Sequence, residues 1–181
     1  MPGRSVVDVM EQLLRDWESA KEPKDVREAK LEIQMPVRCC AEKAGVLPPL
    51  SHELPDDLKE FWGAFSYAKL FEDVIYGQSG LVLLGYEMSN QHTRAFNRER
   101  SRDVRRGDRV IGTFIGDEDL LLIRCNSRES DSGSILVALR DGWRNEWHTA
   151  ATSLSSFLEE YALYEGQKYW TPQFRPRGEN M

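Results

Sequence analysis

The sequence of 181 residues predicts a single α+β domain: a four- to six-stranded antiparallel sheet, helices packed against it and an additional N-terminal helix. Two observations support this class. Apolar residues recur at helical spacing in the first third of the chain, and their period changes to two between residues 109 and 148. The strand-like segments of that region follow one another too closely for crossover helices, so an antiparallel sheet is expected.

The first predicted element is an amphipathic helix from Ser5 to Trp17, because Ser5 is a favourable N-cap and apolar residues form one stripe. Residues 21–35 are highly charged and are expected to form a linker or an exposed helix. A proline at its start and a glycine after its end predict a short helix over residues 36–44. Pro55 then opens a clearer helix, whose apolar face comprises Leu58, Phe61, Trp62 and Phe65.

The second half of the sequence has mainly strand-like patterns. The candidate strands are residues 81–85, 109–115, 120–126, 134–140 and 143–148. Gly116–Asp119 has the length and composition of a turn that closes an antiparallel hairpin. Ser153 or a neighbouring residue caps a last helix, whose buried stripe comprises Leu154, Phe157, Leu158, Tyr161 and Ala162.

These elements predict three regions along the chain: an N-terminal helical extension at 1–35, the α+β domain at 36–165 and an irregular tail at 166–181. No segment approaches the ~20 consecutive apolar residues of a membrane span. The first residues lack the apolar centre of a signal peptide. The three cysteines, two of them adjacent, do not make a disulfide framework. We therefore expect a cytoplasmic protein without a membrane partner.

The charge is unevenly distributed. The chain carries a net charge of −6, yet residues 94–109 contain seven arginines and three acidic residues. An acidic protein surface attracts basic proteins and repels nucleic acid. The Arg-rich segment, in contrast, is a composition that favours contact with nucleic acid. The simplest interpretation of the segment is a solvated loop with internal ion pairs.

Three blocks of sequence, within residues 36–164, resemble the SUKH superfamily (Smi/Knr type). The first combines Ala41–Gly45 with Leu54-Pro55-Asp56-Asp57-Leu58-Lys59-Glu60-Phe61-Trp62, which is similar to the family's opening helix. The second is the hairpin from Val110 to Ile123. The third runs from Gly133 through Trp147 to Ala151-Thr152-Ser153-Leu154-Ser155-Ser156-Phe157-Leu158, similar to the family's last strand and helix.

This resemblance implies a non-enzymatic binding domain. Bacterial members of the family resemble immunity proteins that neutralise a cognate toxin, often one that acts on nucleic acid, whereas eukaryotic members resemble signalling scaffolds. The family has no shared catalytic residues.

The residues themselves suggest no catalytic or metal chemistry. The histidines, His52, His92 and His148, are far apart in sequence, and no Cys-x-x-Cys or His-Glu-x-x-His spacing occurs. No Gly-x-Ser-x-Gly elbow and no phosphate-binding loop is present. We therefore expect no catalytic residues, no metal and no cofactor.

The candidate partner-binding residues lie in predicted loops, where recognition is commonly placed. They are Asp117, Glu118 and Asp119 at the hairpin turn, Glu129 and Asp131 in the next loop, and Trp143 and Arg144 in the last turn. The strand pattern predicts that Trp147 is buried, and Trp143 is expected to be more exposed. The first hypothesis is an immunity protein that binds a toxin. A regulatory scaffold and a nucleic-acid binder using residues 94–109 are the alternatives.

Overall fold

The computed structural model describes residues 4–24 and 35–174 and confirms the α+β class. One antiparallel sheet contains seven strands in sequence order, more than the four to six predicted. Its strands are β1 (Val37–Lys43), β2 (Phe65–Asp73), β3 (Leu81–Leu84), β4 (Asp108–Phe114), β5 (Leu120–Arg124), β6 (Ile135–Ala138) and β7 (His148–Ala151). The helices are α1 (Val6–Asp16), α2 (Asp56–Ala64), α3 (Tyr86–Glu99) and α4 (Leu154–Leu163), with 3-10 turns at Arg144–Glu146 and Pro172–Phe174.

The helices with local capping signals form as the sequence predicts. The hydroxyl of Ser5 accepts hydrogen bonds from the first turn of α1, including the Val7 amide at 3.1 Å. The hydroxyl of Ser153 accepts from the Ser156 amide at 3.1 Å at the start of α4. Such caps satisfy amide groups that have no partner within the helix, which is why these starts are predictable.

The predicted helix over residues 36–44 is wrong, because this segment forms β1. Its side chains alternate across the sheet, so that Cys39 is buried and Cys40 is exposed. The strand pairs with β2 on one side. On the other side, Val37 exchanges backbone hydrogen bonds of 3.1 and 2.9 Å with Lys21. Backbone pairing on both sides therefore outweighs the local helix signals.

Other differences arise in segments with weak local patterns. The sequence did not predict β2 or α3, and Phe65 begins β2 instead of extending α2. The expected strand over residues 143–148 is misplaced, since Arg144–Glu146 forms a 3-10 turn and β7 starts at His148. The Arg-rich segment is not simply a loop, because its first residues belong to α3. Residues 25–34 of the expected linker lie outside the described residues.

The sheet carries helices on both faces. Buried residues of α1, α2 and α4 pack with one face in a large core. A smaller cluster covers part of the other face, where Phe96 of α3 packs with Leu84, Val110, Leu122 and Ala138. The sheet is thereby rigid beneath the loops that connect β4 to β7, which positions the surface described below.

The C-terminal segment also contributes to the core. Trp170 is 4% exposed, and its ring lies 5.4 Å from that of Phe114 and 5.9 Å from that of Phe157. The hydroxyl of Tyr169 donates to the carbonyl of Ala150 in β7 at 3.0 Å. Residues 166–174 are therefore anchored by aromatic packing. Within the described part of the chain, no helix is sufficiently long and apolar to cross a membrane.

Candidate functional site

The structure divides the seven predicted binding residues into three local environments. Asp117, Glu118 and Asp119 form the tip of the β4–β5 hairpin, which we call the hairpin tip. Glu129 and Asp131 lie in the β5–β6 loop and bind Arg124. Trp143 and Arg144 lie in the β6–β7 connection. Asp131, Trp143 and Arg144 line one groove.

The carboxylates of the hairpin tip already have cationic partners. Lys168 pairs with Asp117 and lies 3.5 Å from a carboxylate oxygen of Asp119, while Arg140 pairs with Glu118. Glu118 adopts a left-handed backbone conformation, with φ of 60°, that presents its side chain to solvent. The exposed Arg140–Glu118 pair contributes little to stability, whereas the pairs of Lys168 are partly buried. Together they leave the tip with one more negative than positive charge.

Asp119 differs from its neighbours because it is 8% exposed. Burial raises the pKa of its carboxyl, the hydrogen bond from the Arg140 amide at 2.9 Å opposes the shift, and the charge of Asp141 adds to it. The sequence predicted a solvent-facing carboxylate here. Instead, Asp119 fastens the hairpin to the start of the β6–β7 connection.

The centre of the site is Arg124, a residue that the sequence analysis did not identify. Its side chain is completely buried at the end of β5. The guanidinium donates to Asp108 at 2.6 Å, to Asp131 at 3.1 Å and to the carbonyl of Arg106 at 3.0 Å, and it also pairs with Glu129. The one available signal was an arginine that ends an apolar strand without interrupting it.

Arg124 remains charged in this environment. Burial alone lowers the pKa of its guanidinium, but the hydrogen bonds and charges of Asp108 and Asp131 outweigh burial and raise the pKa above its ordinary value. A buried cation with several carboxylate partners holds them in fixed positions. Arg124 therefore fixes the β5–β6 loop against the start of β4.

Arg144 extends this network to the β6–β7 connection. Its guanidinium pairs with the buried carboxylate of Asp108 and donates to the carbonyl of Asp103 at 2.8 Å. The same guanidinium lies 4.9 Å from the centre of the Trp147 ring, within cation–π range. Arg100 donates to the carbonyl of Arg140 at 2.8 Å and also to that of Gly142, holding the connection from the opposite side.

The surface beside this network is an open groove of about 640 Å³, which we call the Trp143 groove. Leu136 and Thr149 of neighbouring strands contribute to its lining. Trp143 is 61% exposed, whereas the Trp147 ring packs 5.9 Å from that of Phe96. The expected exposure of Trp143 is confirmed, whereas Trp147, which was expected to be buried, is only partly buried.

The Arg-rich segment is distributed over several environments. Arg98 and Arg100 form the internal ion pairs that were expected, with Glu99 and Asp103. The exposed Arg102 and Arg105 line the Trp143 groove, whereas the exposed Arg106 and the partly buried Arg109 line a second pocket. In the described part of the chain, Arg102 and Arg105 have no ion-pair partner.

Two thiols of the fold are held in their protonated form. Burial raises the pKa of Cys125 to about 11 and that of Cys39 to about 12. A thiol attacks or binds metal as the thiolate, so neither is activated at neutral pH. Among residues 4–24 and 35–174, no three His, Cys, Asp or Glu side chains are grouped as metal ligands.

The fold and the site together define an α+β domain with an exposed tryptophan beside a charged groove. No protein-family model, curated protein or solved structure matches the chain.

Proposed function

We propose that this protein is a binding domain of the immunity type, which neutralises a toxin domain by covering it. Trp143 would anchor the contact. The resemblance to the SUKH superfamily, in the residues given above, supports the immunity class. The observation that carries the binding proposal is the exposed indole of Trp143, presented by a connection that is held at both ends.

The rigidity of this connection favours recognition. The Trp143 amide donates to a carboxylate oxygen of Glu146 at 2.6 Å, which closes the 3-10 turn on itself. The Arg144 amide donates to Asp103 at 3.2 Å, and Trp147 packs on Phe96. A preorganised aromatic loses little conformational entropy on binding, and tryptophan is among the residues that dominate interface energies.

The charges around Trp143 suit a basic partner on one side. Asp141, two residues before Trp143, is exposed, and so is Glu118 of the hairpin tip, which pairs with Arg140. A toxin that acts on nucleic acid carries a basic surface for the phosphate backbone, and an acidic surface beside the anchor complements it. Arg102 and Arg105, which line the Trp143 groove, would favour an acidic region of the partner over the groove and would thereby orient the complex.

The test begins with the partner that co-purifies with the tagged protein from its native cells. With the two proteins purified, Trp143→Ala is expected to weaken binding about 30-fold, equivalent to about 2 kcal/mol for an interface anchor. Tyr76→Ala is the matched control, because Tyr76 is an aromatic of similar exposure, 63%, in the β2–β3 turn, which β4 and β5 separate from the β6–β7 connection. Equal affinity of Trp143→Ala and Tyr76→Ala would refute the proposed anchor.

A growth assay separates the immunity function from a regulatory scaffold. Expression of the partner alone is expected to arrest growth, and co-expression of the wild-type chain is expected to restore it. Trp143→Ala should restore growth less well than Tyr76→Ala at equal protein level. A partner that binds through Trp143 but has no toxic effect would instead support the scaffold function.

The second candidate function, nucleic-acid binding, has one specific observation in its favour. The side chains of Arg102, Arg105, Arg106 and Arg128 are exposed and have no ion-pair partner within the described residues. Retention on heparin and DNA at low salt, lost in Arg105→Gln/Arg106→Gln, would support it. Elution of the wild-type chain from heparin at the same salt concentration as an acidic protein that does not bind nucleic acid would exclude this function.

A further inference from the structure

A second pocket, which we call the Arg109 pocket, lies where β4 begins and β5 ends. Its volume is about 290 Å³, and its lining includes Thr93 of α3, Arg109 of β4 and Asn126, which follows β5. Arg106 and Arg128, both exposed, are also part of the lining. The pocket is separate from the Trp143 groove, and the proposed contact with a protein partner does not use it.

Arg109 is a partly buried cation without a counter-ion. Its guanidinium donates to the amide oxygen of Asn90 at 2.7 Å and lies 5.6 Å from the centre of the Trp62 ring. No carboxylate of the described residues forms an ion pair with it. A charge that is partly removed from water without a compensating charge carries a desolvation cost, which a bound anion would offset.

The remaining charges of the pocket leave an excess of positive charge. The carboxylate of Asp108 is already engaged by Arg124 and Arg144. Burial raises the pKa of the Cys125 thiol to about 11, so this group is uncharged at neutral pH. Glu53 at the surface is the remaining acidic side chain of the lining.

The guanidinium groups of Arg106 and Arg128 form no ion pair within the described part of the chain. Together with Arg109, they place three cations without an ion-pair partner in the lining, whereas Glu53 is the one lining carboxylate that no cation of the described residues engages. All three residues line the one cavity, and the guanidinium group, which is planar and permanently charged, is a donor that recognises phosphate oxygens.

We propose that the Arg109 pocket binds the phosphate group of a small phosphomonoester. A monoester carries a charge of about −1.5 to −2 at neutral pH and three acceptor oxygens, which suits three arginines better than a singly charged diester. The volume lies at the lower end of the range for ligand pockets, about 300 to 1,000 Å³, which favours a small molecule. This assignment gives a role to Arg106 and Arg109 of the Arg-rich segment.

The experiment measures binding by isothermal titration calorimetry at constant ionic strength. Glycerol 3-phosphate is the phosphomonoester probe, glycerol is its uncharged counterpart, and inorganic phosphate represents the free ion. A short oligothymidylate supplies phosphodiesters. The wild-type chain is expected to bind glycerol 3-phosphate at millimolar concentration or below and not to bind glycerol.

Variants of the three arginines test the location of the site. Arg109→Gln keeps a polar side chain and is expected to weaken binding of glycerol 3-phosphate by about tenfold or more. Arg106→Gln and Arg128→Gln are each expected to weaken it about threefold, and these exposed side chains are not needed for folding. Arg94→Gln is the matched control, since it removes the same charge from an exposed position on α3 outside the pocket.

Each outcome decides the proposal. Loss of binding in the pocket variants with an unchanged Arg94→Gln supports it, and equal binding of inorganic phosphate would then identify the free ion as a sufficient ligand. Absence of binding by both phosphate probes overturns the proposal, as does an equal effect of all four variants. Tighter binding of oligothymidylate, also lost in the pocket variants, overturns the phosphomonoester assignment in favour of nucleic acid.

Discussion

Replacing Arg124 by methionine removes the buried cation at the centre of the site while keeping the length of the side chain. Asp108 then loses its 2.6 Å hydrogen bond but keeps Arg144 and the Arg105 amide, which donates at 2.7 Å. That loss corresponds to one charge-assisted hydrogen bond in a buried site, about 1.5 to 3 kcal/mol.

The other two carboxylate partners add less. Glu129 and Asp131 are 49% and 44% exposed, so water compensates them in part, and each lost pair contributes at most about 1 kcal/mol. The sum is about 3 kcal/mol in the free energy of unfolding. This value lies at the lower end of the range for a buried ion pair that loses one partner, about 3 to 5 kcal/mol.

The assay is equilibrium unfolding in urea, followed by tryptophan fluorescence. For a denaturant dependence of about 2 kcal/mol per molar, Arg124→Met should lower the midpoint by about 1.5 M. Arg98→Met is the matched control, because the ion pair of Arg98 with Glu99 is exposed on both sides. A loss below about 1 kcal/mol in Arg124→Met relative to this control would refute the argument that Arg124 holds the site together.

Further predictions concern the scaffold. In Gly85→Ala the new methyl group would lie 2.0 Å from the carbonyl oxygen of Ser66, so we expect a loss of about 2 kcal/mol or more in the same urea assay. Gly63→Ala, at an open position in the last turn of α2, should instead stabilise by about 0.5 kcal/mol. Asp57→Ala removes the acceptor of the Leu154 amide at 2.7 Å, and the expected loss is about 1 kcal/mol; an unchanged midpoint would contradict this capping role.

The Arg-rich segment shows why a local charge count does not define a binding surface. Arg100 stabilises the fold, because its guanidinium donates hydrogen bonds to backbone carbonyls of the β6–β7 connection. Arg102 and Arg105 contribute to the Trp143 groove, whereas Arg106 and Arg109 contribute to the Arg109 pocket. The segment changes direction at Gly107, which has a positive φ of 88°, so its arginines are shared among separate sites.

Several elements follow from the sequence because their determining interactions are local. The β4–β5 hairpin has two largely apolar strands and a turn with Gly116 in a left-handed conformation, at φ of 103°. The starts of α1 and α4 depend on a serine and amides two or three residues away. Likewise, the exposure of Trp143 follows from its position in a polar turn.

The tertiary structure decided the remaining features. Residues 37–43 are compatible with a helix or a strand by pattern, and hydrogen bonds with β2 and Lys21 select the strand. The cluster around Arg124 joins Asp108, Asp131 and Arg144, which lie in three different segments. Only strand pairing brings these charges together, and the strength of their ion pairs depends on how deeply the side chains are buried. A sequence pattern contains neither the strand pairing nor the burial. It therefore predicts the helices and the hairpin, whose stabilising interactions are local, but it does not predict this network.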